Sequence, residues 1–241
     1  MATIHLVLQG KGGVGKSLAA SLLTQHHLNC EIVTICFDTD PVNKTFAGYK
    51  TYTVKIIDIL KDGNMNEREF DRLIELLTNA PENSAVIIDN GASTFIPLCA
   101  YIKENDVVAY LEGLGHKVMF HSIVTGGQAI VDTMNGLEAL VKNFPETPVT
   151  VWKNEFFGKV EMNGKTFEET NLYNENIHRI HAIITLEEMR KETFGRDFGQ
   201  MLKLRLTFAE ALADPSFSIM SRQRLTILWK RINEQIQKAN L

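Results

Sequence analysis

Gly10-Lys11-Gly12-Gly13-Val14-Gly15-Lys16-Ser17 follows directly on the first apolar run of the chain, Thr3 to Gln9. Gly10, Gly15, Lys16 and Ser17 satisfy the phosphate-loop spacing G-x4-G-K-[ST]. The apolar run before them suits a buried strand over 3–9. Lys16 to Gln25 holds strong helix formers and no Gly or Pro, which predicts a helix over 16–28. In a strand–loop–helix context, backbone N–H groups turn inward around a phosphate, and the helix N-terminus adds a favourable dipole. Gly12, Gly13, Val14, Gly15, Lys16, Ser17 and Leu18 then form the cradle. Lys16 reaches the β- and γ-phosphates and the Ser17 hydroxyl holds Mg²⁺. Lys11 is surplus to an ordinary nucleotide loop.

Gly10, Gly12 and Gly15 also spell G-x-G-x-x-G, and Asp38 lies 23 residues beyond Gly15, where a dinucleotide site would place its ribose-binding acid. The Lys16-Ser17 pair argues for a triphosphate instead, because a pyrophosphate diester needs neither group. Two strand-like runs end in acids: Glu31 to Phe37 before Asp38-Thr39-Asp40-Pro41, and Ala85 to Ile88 before Asp89-Asn90-Gly91. Acids at the carboxyl ends of parallel strands face the ligand crevice. Asp89 has the form of a Walker B carboxylate, which holds Mg²⁺. Taken singly, each acid could equally be a turn or helix-cap Asp. With the loop in the same chain, Asp38, Asp40 and Asp89 read as functional.

The chain has 241 residues, 44% of them hydrophobic, and a formal net charge of −4. That suits one large domain with a sizeable core and excludes bulk polyanion binding by overall field. Cys30, Cys36 and Cys99 lack metal spacing and read as buried reduced thiols, indicating a reducing, cytoplasmic compartment. No apolar run approaches membrane-spanning length, and no secretory signal is evident. The seven histidines lack ligand spacing, so His26, His27, His178 and His181 read as surface or core residues rather than a metal site.

Further elements are expected at 51–57, 85–89, 117–124, 148–153 and 180–184 as strands. Helices are expected at 67–79, 94–103, 106–112 and 127–143, and then to the end. This alternation predicts an α/β fold, a mostly parallel central sheet with helices on both faces, in a single domain over 1–241. Val160 to Phe167 alternates around Asn163-Gly164, predicting a hairpin insertion over about 156–169, either a lid or partner surface or decoration. The segment 218–239 predicts a helix with a stripe of Leu225, Leu228, Trp229, Ile232 and Ile236. Five basic residues (Arg222, Arg224, Lys230, Arg231, Lys238) oppose Glu234. It would dock on the sheet with its basic face in solvent, touch DNA or a partner, or lie on a membrane.

The loop Gly10 to Ser17 resembles the deviant Walker A loop of the ParA/MinD family of P-loop partition and cell-division ATPases. Asp38-Thr39-Asp40-Pro41 is similar to its switch I, Ile87-Ile88-Asp89 to its Walker B strand, and Val149 to Asn154 to its adenine-side strand. The resemblance covers 1–154. It implies ATP and Mg²⁺ as ligands, with Lys11 crossing an ATP-sandwich homodimer to the partner's nucleotide. It further implies that Lys16 and Asp40 are catalytic (Asp40 orienting water), that Asp38 and Asp89 join Ser17 around Mg²⁺, and that Asn154 reads adenine.

Asp40-Pro41-Val42-Asn43, Asp89 to Ser93, Val124 to Ala129, Gly195 to Phe198 and Met220 to Leu225 are similar to a conjugal-transfer branch of that family, over nearly the whole chain. That branch implies a bacterial ATPase with slow, partner-stimulated hydrolysis. It would act with relaxosome or secretion-system proteins in plasmid transfer, reaching a pole or membrane only through a partner. Direct DNA contact stays open, as do a plasmid-partition role, a metabolic ATP-dependent enzyme and a scaffold with little turnover. Two departures stand out: Asn90-Gly91 replaces the common Thr-Pro, and Ile184 to Glu187 replaces an adenine-packing proline. The C-terminus lacks the short apolar ending of the membrane-bound branch.

Overall fold

The computed structural model describes residues 1–61 and 64–241. In chain order the elements are β1 (Thr3–Val7), α1 (Lys16–Asn29), β2 (Thr34–Asp38), β3 (Val54–Ile56), β4 (Leu60–Lys61), β5 (Asn64–Met65), α2 (Glu67–Thr78) and β6 (Ala85–Asp89). Then come α3 (Phe95–Glu104), α4 (Val107–Gly113), β7 (Lys117–Thr125), α5 (Ile130–Asn143), β8 (Val149–Asn154), β9 (Glu161–Met162) and β10 (Lys165–Thr166). The last are α6 (Asn171–Asn176), β11 (Ile180–Leu186), α7 (Phe194–Lys203), α8 (Phe208–Ala213) and α9 (Ile219–Lys238). Seven strands form one sheet in the order β11-β8-β7-β1-β6-β2-β3, and every adjacent pair is parallel.

Side chains alternate between the faces of the sheet, so each strand feeds two cores. Ile4, Leu6, Val86, Ile88, Val118 and Phe120 point to the layer holding α2 to α5. Val7, Cys36, Ile87, Ile123, Trp152 and Ile184 point to the layer holding α1 and α7 to α9. The stripe of α9 is spent on the second layer: Leu225, Leu228, Ile232 and Ile236 are buried. Among its cations, Arg224 pairs with Asp197 at 2.5 Å, Lys230 with Glu234 at 4.0 Å and Arg231 with Glu187 at 3.5 Å. Among the described residues no helix is long and apolar enough to cross a membrane.

Boundaries shift where local geometry overrides the pattern. The strand expected from residue 31 starts at Thr34, because Glu31 takes a left-handed φ of 58° in the turn after α1. The strand expected over 51–57 contracts to Val54–Ile56. The helix expected from 127 opens as a 3-10 turn before α5 begins at Ile130. Helix α6 carries no clear apolar period and was not expected; Thr170 starts it by accepting from the Tyr173 N–H. Asn163 (φ 54°) and Gly164 (φ 74°) form the left-handed two-residue turn between β9 and β10.

The second layer also buries a row of histidines. Trp152 Nε1–H donates to His121 Nδ1 at 3.0 Å, which leaves the His121 proton on Nε2. That nitrogen lies 2.9 Å from His5 Nδ1. His27 stacks beside His5 with ring centroids 5.1 Å apart, and His26 follows, bonded to Asn233 of α9 at 2.7 Å. His5 Nε2 and both ring nitrogens of His27 have no hydrogen-bond partner among the described residues.

Candidate functional site

β1 delivers the chain to the glycine loop at the carboxyl edge of the sheet, where open parallel sheets bind ligands. Gly13 and Gly15 take φ values of 74° and 107°, a region that side chains rarely adopt. Gly15 also has no room for a Cβ, which would lie 2.9 Å from Asn154 Nδ2. Asn154 closes β8 and donates from Nδ2 to the Val14 carbonyl at 2.9 Å. Its Oδ1 accepts from the Phe156 N–H at 3.2 Å. The amide thus fastens the loop to the neighbouring strand end. Lys16, 7% exposed, folds back over the loop and donates to the Lys11 carbonyl at 2.8 Å. Burial pulls its ammonium below the usual lysine range, opposed by Asp89 and Asp40.

The acids meet because β2 and β6 are adjacent and in register, with Asp38 opposite Asp89. Asp89 is buried and, among the described residues, neither carboxylate oxygen has a hydrogen bond of normal geometry, although the Ser17 side chain stands close enough to stabilise its charge. Burial, helped by Asp38 and Asp40 and opposed by Ser17 and Lys16, pushes its pKa up to about 7. Asp38 is spent differently: Oδ1 accepts from the Asp40 N–H at 3.0 Å and Oδ2 from the Ala47 N–H at 2.9 Å. It shapes the loop after β2. Asp40 Oδ1 accepts from the Val42 and Asn43 N–H groups at 2.9 and 3.0 Å, an Asx turn.

Gly12, Gly13, Gly15, Lys16, Ser17, Leu18 and Asp40 line one cleft of about 570 Å³, within the range of small-molecule sites. Tyr49 and Leu202 are also part of its wall; nothing in their sequence surroundings marks them. Lys11, Val14, Asp38, Asp89 and Asn154 do not line this cleft, the two buried acids lying behind it. Lys11 borders a second cavity of about 400 Å³ with Gly126, Gly127 and Phe157. Its ammonium pairs with Asp132 of α5 at 2.7 Å, both side chains being about half exposed, at 44% and 54%. Asp132 is a site residue that sequence reasoning missed, because it lies 121 positions away. Among the described residues no three His, Cys, Asp or Glu side chains converge as a metal cage.

No protein-family model matches the sequence. Among characterised proteins, two Escherichia coli chains, each named Protein TraL, are 47% and 46% identical over 240 residues, covering 99% of this chain and 99% of theirs. Among solved structures, the MinD cell division protein of Aquifex aeolicus superposes with a TM-score of 0.54 at 14% identity, covering 95% of this chain and 96% of its own. A plasmid partition protein of Borrelia burgdorferi bound to AMPPNP gives 0.51 at 14% identity, covering 99% of each. These structural likenesses establish a P-loop NTPase fold of the MinD and partition-protein type. Full-length identity near one half establishes more: the chain belongs to the TraL family.

Proposed function

We propose that the chain is an Mg-ATP-dependent dimer switch of the ParA/MinD type, folded as one domain, that hydrolyses ATP slowly in conjugal transfer of plasmid DNA. The observation that carries the proposal is the Asp89 carboxylate, buried beside Ser17 and Lys16, with no hydrogen bond of normal geometry to either oxygen among the described residues. A buried carboxylate in that state is costly unless a cation or donor completes it. A hydrated Mg²⁺ fits: Ser17 would ligate it directly, and Asp89 with Asp38 would hold its waters. When bound, the ion neutralises charge between the β- and γ-phosphates. Amides from Gly12 to Ser17 cradle the phosphates, Lys16 exchanges the Lys11 carbonyl for phosphate oxygens, and Asp40 orients the attacking water. Asn154 positions the loop and borders the adenine side.

Lys11 stands outside the cleft and half exposed on the surface, which supports a reach to a second chain rather than to its own nucleotide. The transfer role, a cytoplasmic location and partners among relaxosome or secretion-system proteins belong to the same proposal and rest on the motif resemblance to the conjugal-transfer branch. Light scattering with ATP against ADP, together with phosphate release, tests the proposal. A protein that stays monomeric with ATP and releases no phosphate overturns it.

The Lys11–Asp132 pair competes with any reach across a dimer. An exposed pair of this kind is worth at most about 1 kcal/mol. A two-fold dimer breaks two such pairs, so Asp132→Ala is expected to tighten ATP-dependent dimerisation by about two- to thirtyfold. An unchanged or weaker dimer in analytical ultracentrifugation would show that the pair does not restrain Lys11.

A further inference from the structure

Asn90 follows Asp89 at the end of β6 and is completely buried. Its Oδ1 faces two hydroxyls: Thr39, between the two acids of the β2 loop, at 3.0 Å, and Thr94, at the start of α3, at 2.7 Å, each hydroxyl sharing its proton with a second acceptor, the Asp89 carbonyl at 3.2 Å and the Gly91 carbonyl at 3.0 Å. Its Nδ2 donates to the Gly91 carbonyl at 3.1 Å. The Thr39 N–H adds a bond to the Asp89 carbonyl at 2.9 Å. One amide thus joins the loop after β2, the loop after β6 and the first turn of α3, and each joint is buried.

Gly91 gives this joint its second half. A Cβ on Gly91 would lie 3.0 Å from both Cα and Cγ of Asp40. The Asp40 backbone and carboxylate therefore rest directly on the bare backbone of residue 91. Asn90 fixes the residue before Asp40, and Gly91 supplies the seat for Asp40 itself.

We infer that Asn90 is the positioning residue for Asp40: it locks the loop carrying Asp40 to the strand end carrying Asp89, so that the two acids move as one unit. This rests on the proposed function for its catalytic meaning, whereas the lock itself rests on the hydrogen bonds above.

The anchoring is read in the nucleotide-free protein by hydrogen exchange at the Asp40, Val42 and Asn43 amides, which bond to Asp38 and Asp40. Asn90→Ala is expected to speed exchange there by about fivefold or more. In the ATPase assay, kcat is expected to fall about tenfold or more, with KM for Mg-ATP moving less than about threefold. Thr39→Val should reproduce both effects, Thr39→Ser should restore them, and adding Thr39→Val to Asn90→Ala should cost little more. Unchanged exchange, additive losses in the double variant, or a raised KM at constant kcat would each overturn the inference. If Asn90→Ala does not fold, Thr39→Val against Thr39→Ser decides on the same criteria. A wild-type protein with no ATPase overturns the proposed function instead, and the exchange arm still decides whether Asn90 is the lock.

Discussion

Lys11→Ala is expected to abolish ATP-dependent dimerisation while leaving ATP binding by the single chain within about threefold. Its ammonium lies outside the 570 Å³ cleft, paired with Asp132, so the cradle of one chain does not use it. In a two-fold dimer any contact made by Lys11 occurs twice. Removing one partner of a desolvated charge pair costs about 2–5 kcal/mol. Two such losses weaken the dimer by about a thousandfold or more. Light scattering with ATP, set beside fluorescent-nucleotide titration of the monomer, reads the two effects separately. A Lys11→Ala protein that dimerises and turns over normally removes the trans-lysine from the mechanism.

The largest stability effect is expected from acid, through the buried histidines. Burial, with His26 nearby, lowers the His27 pKa to about 4. Burial, with His27 and His181, lowers that of His121 to about 3. His5 is lowered as well, first by burial and then by His121, His27, Lys117 and His26. The unfolded chain therefore takes up protons that the folded chain refuses. Stability contributed by these neutral rings is full above pH 6.5 and is lost as pH falls through 4 and then 3. At about 1.4 kcal/mol per unit, His27 alone accounts for about 3 kcal/mol. Asp89 works in the opposite sense: its raised pKa makes the folded state gain protons, and stability, as pH falls from 7. The clean readout is therefore the difference between wild type and His27→Leu in urea melts from pH 8 to 4. That difference should grow by about 2–3 kcal/mol in favour of the variant on acidification. A constant difference would mean that His27 titrates normally in the fold.

Much of the site was legible because it is local. Gly10 to Ser17 specifies its own turn, and Asp38 and Asp89 each close an apolar run, so spacing placed them at one edge before any packing was known. The parallel sheet followed from alternation, and the α9 stripe from a helical period. Asp132, Tyr49 and Leu202 were not legible, since nothing local marks a residue that matters only after distant elements meet. The histidines show the same limit: His5 and His121 sit on adjacent strands and His26-His27 on α1, and only the layer packing gathers them. Asn154 was singled out only through the family resemblance, and its bond to Val14 belongs to the fold.

The lateral pairing of Asp38 with Asp89 has a consequence for how this chain can vary. Surface loops can gain or lose residues at small cost, because closure entropy grows slowly with length. Strands β2 and β6 have no such tolerance. Removing one residue ahead of Asp38 would turn it from the α1 face toward the α2–α5 layer, away from Ser17 and Lys16, and would invert every side chain of that strand. Single-codon deletions scanned along the gene should therefore be tolerated between elements and lethal to function within these two five-residue strands.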